Sequence, residues 1–248
     1  LKDDQHMMLY PAIDLKGGRC VRLVEGRMDD ATIFNEDPAE HAVRFQTAGF
    51  HWIHVVDLDG AIEGTPRNAG AIAGILNRAV IPVQVGGGVR SMSAVSYWID
   101  AGVSRVVIGT AALKDPAFVR EAARTYPERI AVAIDVRDGK VAVEGWVEQS
   151  EVMATDLAAR FADAGVAAVI VTDIKRDGLK TGINVDLTGQ LADAVAIPVI
   201  ASGGAKSVSD INALKARAGR HPIHGCILGR ALYDGDIDPA EALTVAAS

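Results

Sequence analysis

The sequence predicts an α/β fold, a (β/α)8 or TIM barrel, on three observations. Short apolar, β-branched runs alternate with stretches of helical period along the chain, the pattern of parallel strands joined by helices. Eight such units can be counted, and their strands are apolar on both faces, as buried parallel strands are. The second half also repeats the first. Ile81-Pro82-Val83-Gln84-Val85-Gly86-Gly87-Gly88-Val89-Arg90-Ser91 returns as Ile197-Pro198-Val199-Ile200-Ala201-Ser202-Gly203-Gly204-Ala205-Lys206-Ser207, 116 positions later. The apolar run ending in Asp14 is echoed by the run ending in Asp135 at an offset of 121, and Gly109-Thr110-Ala111-Ala112-Leu113 by Gly229-Arg230-Ala231-Leu232 at 120. Near-constant offsets predict a twofold half-barrel repeat, four units plus four. An open doubly wound sheet also alternates strands and helices, but the Gly-x-Gly-x-x-Gly expected after its first strand in a dinucleotide-binding fold is missing.

In chain order, strands are expected near residues 8 to 14, 52 to 57, 81 to 86, 105 to 109, 130 to 135, 167 to 173, 197 to 202 and 223 to 229. Helices are expected near 38 to 48, 67 to 79, 91 to 101, 115 to 124, 153 to 164, 186 to 194, 207 to 217 and 239 to 246. Asp37-Pro38, Asp115-Pro116 and Asp238-Pro239 each set a capping carboxylate before a proline at the first helical position. The longest pieces without a regular pattern, 15 to 36 and 136 to 151, follow the first and fifth strands. Long loops in compact domains are usually lids or binding loops.

With 248 residues, 49% of them hydrophobic, the chain can bury one large core. A single barrel over 7–248 is the expectation, with 1–6 a polar extension ahead of Met7 and Met8. A net charge of −7 argues against a nucleic-acid partner, since binding a phosphate backbone needs a basic surface. No apolar run is long enough to span a membrane. Cys20 and Cys226 are the only cysteines and are far apart, which suggests neither a disulfide framework nor a cysteine zinc site and fits a reducing cytoplasm.

A β/α barrel works at the C-terminal ends of its strands, so polar residues that close an apolar strand carry the most information. Asp14, Asp57, Asp135 and Asp173 all stand at such ends. Alone, each could cap a turn; as two matched pairs they suggest more. Asp14 and Asp135 close strands one and five, opposite one another across an eight-stranded ring, and facing carboxylates suit proton transfer from one atom of a ligand to another. One must hold its proton near neutrality, which burial or a negative neighbour achieves by raising its pKa. Gly86-Gly87-Gly88 and Ser202-Gly203-Gly204 each lie between a strand and a helix, where backbone N–H groups can approach an anion. Each is completed by the next strand end, Gly109-Thr110 and Gly229-Arg230. A tight turn is the plainer reading of one glycine run; two grips with two neighbours favour a ligand with two phosphates. The His-x-x-His spacings of His51/His54 and His221/His224 put side chains on opposite faces of a strand, so no metal site is expected. Trp146 could pack or stack on a planar ligand, and Arg19 and Arg22 could meet a phosphate or solvent.

From about Leu9 to Leu243 the chain resembles the phosphoribosylformimino-aminoimidazole carboxamide ribotide isomerases of histidine biosynthesis. The resemblance is carried by Pro11-Ala12-Ile13-Asp14-Leu15-Lys16-Gly17-Gly18, His54-Val55-Val56-Asp57-Leu58-Asp59-Gly60-Ala61, Val83-Gln84-Val85-Gly86-Gly87-Gly88-Val89-Arg90-Ser91, Val107-Ile108-Gly109-Thr110-Ala111-Ala112, Val141-Ala142-Val143-Glu144-Gly145-Trp146 and Thr172-Asp173-Ile174-Lys175-Arg176-Asp177-Gly178. It implies a β/α barrel of two similar halves and a cofactor-free Amadori rearrangement, aminoaldose to aminoketose, on a substrate with a phosphate at each end. It assigns Asp14 as general base at the sugar C2, Asp135 as the acid that opens the ribose ring, and Asp177 as a rival for that acid. Thr172 would orient the opened substrate, Trp146 would stack on the aminoimidazole, and Gly178 would lie at the substrate with Asp177. Leu179-Lys180-Thr181-Gly182 departs from the Thr-Leu-Ser-Gly more usual in that loop.

The cyclase subunit of imidazole glycerol phosphate synthase, which acts with a glutaminase, is the nearest alternative. This chain differs from it at Asp57-Leu58-Asp59-Gly60-Ala61, Gly109-Thr110 and Glu144-Gly145-Trp146. A dual isomerase that also takes phosphoribosylanthranilate is a second alternative, and a phosphosugar-binding scaffold a third. A closed barrel of this kind is expected to be monomeric and to need no cofactor.

Overall fold

The computed structural model describes residues 6–24, 27–143, 146 and 148–248, with only the backbone of the described part of 22–32. The first five residues of the expected N-terminal extension and Glu144-Gly145 of the Trp146 motif lie outside the described residues, as does the Arg22 side chain.

In chain order the elements are β1 (Met8–Lys16), β2 (Arg19–Val24), β3 (Arg27–Asn35), α1 (Pro38–Thr47), β4 (Ile53–Asp57), α2 (Leu58–Glu63), α3 (Ala69–Arg78), β5 (Val83–Gly86), α4 (Met92–Asp100), β6 (Arg105–Ile108), α5 (Ala111–Lys114) and α6 (Pro116–Thr125). They continue as β7 (Ile130–Arg137), β8 (Lys140–Val143), β9 (Glu148–Met153), α7 (Ala154–Ala159), β10 (Ala168–Asp173), α8 (Val185–Ala194), β11 (Val199–Ser202), α9 (Val208–Ala216), β12 (Ile223–Leu228), α10 (Arg230–Tyr233) and α11 (Pro239–Ala247).

Eight parallel strands close on themselves in the order β1-β4-β5-β6-β7-β10-β11-β12, with β12 pairing back onto β1. The seam matches Leu9 with Cys226 and Tyr10 with Ile227, and beside it Met7 N–H donates to the Ala246 carbonyl at 3.0 Å. All three Asp-Pro starts form as expected: Asp37 accepts from Ala39 and Glu40, Asp115 from Phe118, and Asp238 from Glu241.

Side chains alternate across each strand. Ile53 and Val55 of β4, Val132 and Ile134 of β7, and Val169 and Val171 of β10 face the helices in the main core. The other parity fills the barrel: Tyr10, Ala12, Val107, Ala131, Ala168, Ile170, Ile200 and Ile227. At the end where the strands begin, this filling turns polar. Gln84 Nε2 lies 2.9 Å from His54 Nδ1, Arg105 donates to Gln84 Oε1 at 3.2 Å, and its guanidinium sits 4.5 Å from the Trp52 ring centre. Burial holds the His54 imidazole neutral, its pKa pushed down to about 4. Cys20 and Cys226 are both free and buried.

Two expectations need correction. The long segments after the first and fifth strands are regular, forming the antiparallel hairpins β2-β3 on β1 and β8-β9 on β7. Their apolar residues come only in short stretches, Arg-Cys-Val-Arg-Leu-Val in β2 and Lys-Val-Ala-Val in β8, β9 reads Glu-Gln-Ser-Glu-Val-Met, and backbone pairing to neighbours holds them. The helix expected to reach residue 164 ends at Ala159, after which i to i+3 bonds such as Phe161 N–H to Ala158 O tighten the chain into turns. Among the described residues no helix is long and apolar enough to cross a membrane.

Candidate active site

Parity decides which strand-end acids reach the mouth of the barrel. Asp14 follows Tyr10 and Ala12 on the inner face of β1, and Asp135 follows Ala131 and Ala133 on the inner face of β7. The two strands stand opposite one another in the ring. Thr172, inward on β10, is in register with Asp135 and hydrogen-bonds its carboxylate. Asp57 and Asp173 have the opposite parity and point away from the mouth. Asp57, fully buried, accepts from Gly60 N–H, Arg67 N–H, Asn68 N–H and Asn68 Nδ2 at 2.7–3.0 Å. Asp173 accepts from Lys175 N–H and Asn184 Nδ2 and pairs with Arg176 at 3.4 Å. For this pair the plainer reading, a carboxylate that ties a turn, is the correct one, because an outward residue at a strand end meets the backbone of the following loop.

Asp177, in the loop after β10, joins Asp14 and Asp135. All three are half-buried, with the mouth as their outlet. Desolvation raises each above the ordinary carboxylate range, and like charge adds to it at Asp14 and Asp177. Asp14 is pushed up to about 7 by burial and then by the Asp177 charge. Asp177 is pushed up to about 6 by burial and by Asp135, opposed by a hydrogen bond from the Gly178 backbone. Burial raises Asp135 as well, while hydrogen bonds from Trp146 and Thr172 pull the other way. Three carboxylates that cannot all ionise cheaply are a store of exchangeable protons. Trp146 belongs to the same cluster: its Nε1 donates to Asp135 Oδ2 at 2.9 Å, and its carbonyl accepts from Arg137 at 3.0 Å.

The glycine turns flank these acids. The turn after β5 packs on the end of β4: a Cβ on Gly87, φ +106°, would run into the Asp57 carbonyl, and one on Gly88, φ +73°, into the Gly60 carbonyl. The turn after β11 packs likewise on the end of β10. There a Cβ on Gly203 would lie 2.8 Å from the Asp173 carbonyl oxygen and one on Gly204 2.7 Å from that of Gly182. Gly86 and Ser202 close their strands, Gly109 and Thr110 lead into α5, and Gly229 and Arg230 open α10. A narrow hollow lined by Ala12, Asp14, Val21, Phe34, Gly229, Arg230 and Tyr233 links Asp14 to the start of α10. Phe34 of β3 packs edge-on against Tyr233 at 4.9 Å, and Tyr233 donates to the Ala12 carbonyl at 2.5 Å, so the hairpin after β1 is held near the mouth. Arg19 lies on that hairpin's rim, exposed and 3.7 Å from Glu36. A larger hollow, bounded by Gly17, Gly18, Asp59, Glu63, Arg67 and Asn68 among others, contains none of the three acids.

A family model described as histidine biosynthesis protein matches residues 8–238. The chain belongs to that family. A relative from Caulobacter sp. (strain K31) is 62% identical over 98% of this chain and all of its own length. One from Caulobacter vibrioides is 61% identical over the same shares, and one from Afipia carboxidovorans 58% identical over 96% of each chain. All three are named 1-(5-phosphoribosyl)-5-((5-phosphoribosylamino)methylideneamino)imidazole-4-carboxamide isomerase. Within this histidine biosynthesis barrel, sequence reasoning found the inward acids and both turns. It missed Tyr233 and Phe34, whose contact joins residues about 200 positions apart, and the partners Asn68 and Asn184, for which a helix-capping Asn was the available signal.

Proposed function

We propose that this protein is an isomerase of histidine biosynthesis that carries out an Amadori rearrangement, an intramolecular oxidoreduction of aminoaldose to aminoketose, on the bisphosphorylated aminoimidazole carboxamide ribotide that its relatives are named for. The observation that carries the reading is the set of half-buried acids at the barrel mouth, lying between two turns built alike. The ligand would span the mouth, one phosphate on Gly86-Gly87-Gly88 with Gly109-Thr110 and the other on Ser202-Gly203-Gly204 with Gly229-Arg230. The sequence offset between the halves supports descent of both grips from one repeated unit.

The reaction needs a proton at the ribose ring oxygen, breaking the C1–O bond and leaving an iminium, and then loss of the C2 proton to give an enolamine that becomes the ketose. Asp135 supplies the first proton and Asp14 removes the second, with Asp177 the rival for the acid and Thr172 orienting the opened chain. A base whose pKa stands near 7 is well matched to neutral conditions, neither too weak nor already blocked by its proton. Trp146, hydrogen-bonded to Asp135, would turn onto the imidazole ring when the ligand enters. The barrel works as a monomer in the cytoplasm, where its two buried thiols stay reduced.

Turnover of the aminoaldose bisphosphate, with no metal or cofactor added, tests the reading. Wild type should convert it, and Asp14→Asn should lose about 10²–10⁴-fold in kcat, the scale of one acid-base group, while still binding substrate. No conversion by wild type would overturn the assignment.

A further inference from the structure

The segment Leu179-Lys180-Thr181-Gly182, where this chain departs from the usual pattern, has a physical role in the structure. Lys180 holds φ +53°, a left-handed conformation that residues with a Cβ keep only where their surroundings fix them. Its ammonium bonds Asp234 Oδ2 at 2.7 Å and also the Asp236 carboxylate. Asp234 Oδ2 accepts a further bond from Arg230 Nε at 3.1 Å, and Arg230 returns to the loop by donating to the Gly178 carbonyl at 2.9 Å. Two tethers therefore run from the α10 turn to the loop, at Gly178 and at Lys180, immediately after Asp177.

We propose that Lys180 is a positioning residue: through Asp234, Asp236 and Arg230 it fastens the loop carrying Asp177 to the α10 turn and fixes that carboxyl against Asp14 and Asp135. The inference rests on the isomerase reading of the site. The loop needs such a tie because Gly178, φ +70°, and Gly182, φ +96°, give its backbone freedom on both sides of Lys180. An isolated exposed ion pair would hold little, but here two cations share Asp234 and each restrains the other. The same tether joins Gly178, next to Asp177, to Arg230, so occupation of the second phosphate grip and placement of the Asp177 carboxyl are mechanically coupled.

Steady-state kinetics of Lys180→Met and Lys180→Arg, with amide exchange over residues 174–182, tests this. Because misplacing a reacting group by about 1 Å can cost on the order of 10²-fold, Lys180→Met should lower kcat about tenfold with KM within about twofold, and exchange in the loop should quicken. Lys180→Arg should recover most of kcat, and Asp236→Asn, which leaves Lys180 in place, should show a smaller loss in the same direction. A raised KM with unchanged kcat would make Lys180 a phosphate ligand and overturn the proposal, as would wild-type kinetics in Lys180→Met. If the wild type does not convert the aminoaldose bisphosphate, the isomerase reading falls by itself, and exchange in Lys180→Met still decides the tether: unchanged protection refutes it.

Discussion

At the scale of the residue, the site depends on carboxyls whose affinity for protons is set by where they stand. Asp14 is raised to about 7 first by burial and second by the Asp177 charge. Acting as a base it must be unprotonated while the ring-opening acid keeps its proton, so kcat/KM should rise with pH towards about 7 and fall again as the acid ionises. Asp177→Asn removes the negative neighbour, and the Asp14 midpoint should then move down by up to about one unit. Carbon-13 NMR of labelled aspartate reads that midpoint directly, without requiring activity. A midpoint left at about 7 in Asp177→Asn would mean that burial alone sets it. The same shift bears on folding. A carboxyl whose folded pKa is raised stabilises the native state fully below its unfolded value, 3.8, and that contribution is lost as pH rises through about 7. The conditions that arm the base are those in which the fold gains least from it.

At the scale of the element, the outward aspartates secure the turns that the inward ones work between. Asp57→Ala would leave buried donors on Gly60, Arg67 and Asn68 without a partner, at about 1–3 kcal/mol for each group that water cannot reach. Urea unfolding should show a loss of about 3–5 kcal/mol; under 1 kcal/mol would mean the carboxylate holds nothing. How far all this could be read beforehand depends on the kind of element. The eight barrel strands and their main helices were legible because burial writes itself as apolar runs and periodicity, and because Asp-Pro pairs such as Asp115-Pro116 mark helix starts. The short helices α2, α5 and α10, four to six residues each, carry no period to detect. The hairpins β2-β3 and β8-β9 were hidden because their apolar residues come in short stretches next to charged ones, as in Arg-Cys-Val-Arg-Leu-Val and Lys-Val-Ala-Val, and backbone pairing completes them. In the site, Asp14 and Asp135 were legible as strand ends, and counting parity back to Ala12 and Ala133 would have separated them from Asp57 and Asp173. The tie of Lys180 to Asp234 and Asp236 joins positions more than 50 residues apart, so no local pattern announces it.

At the scale of the whole molecule, the two ends of the barrel differ in what they demand. The end where strands start is filled by His54, Gln84, Arg105 and Trp52, in contact with one another and remote from the acids, whereas the end where strands finish gathers the raised carboxyls and glycine turns. The chemistry is gathered at the end where the strands finish, as the architecture favours. Closure by β12 on β1 has a further consequence. Because Met7 bonds to Ala246, the polypeptide is covalently open at a place where the structure has no gap, so the order in which its eight units are connected is separable from their arrangement. A circularly permuted chain, with a short linker joining residues 7 and 246 and new ends in the Pro127-Glu128 turn before β7, should fold to the same barrel and keep its catalytic mouth, since that turn lies at the opposite end from Asp14 and Asp135. Circular dichroism and turnover of the permutant would check it, and a chain that fails to fold would mean the start of β1 has to be made first for the ring to close.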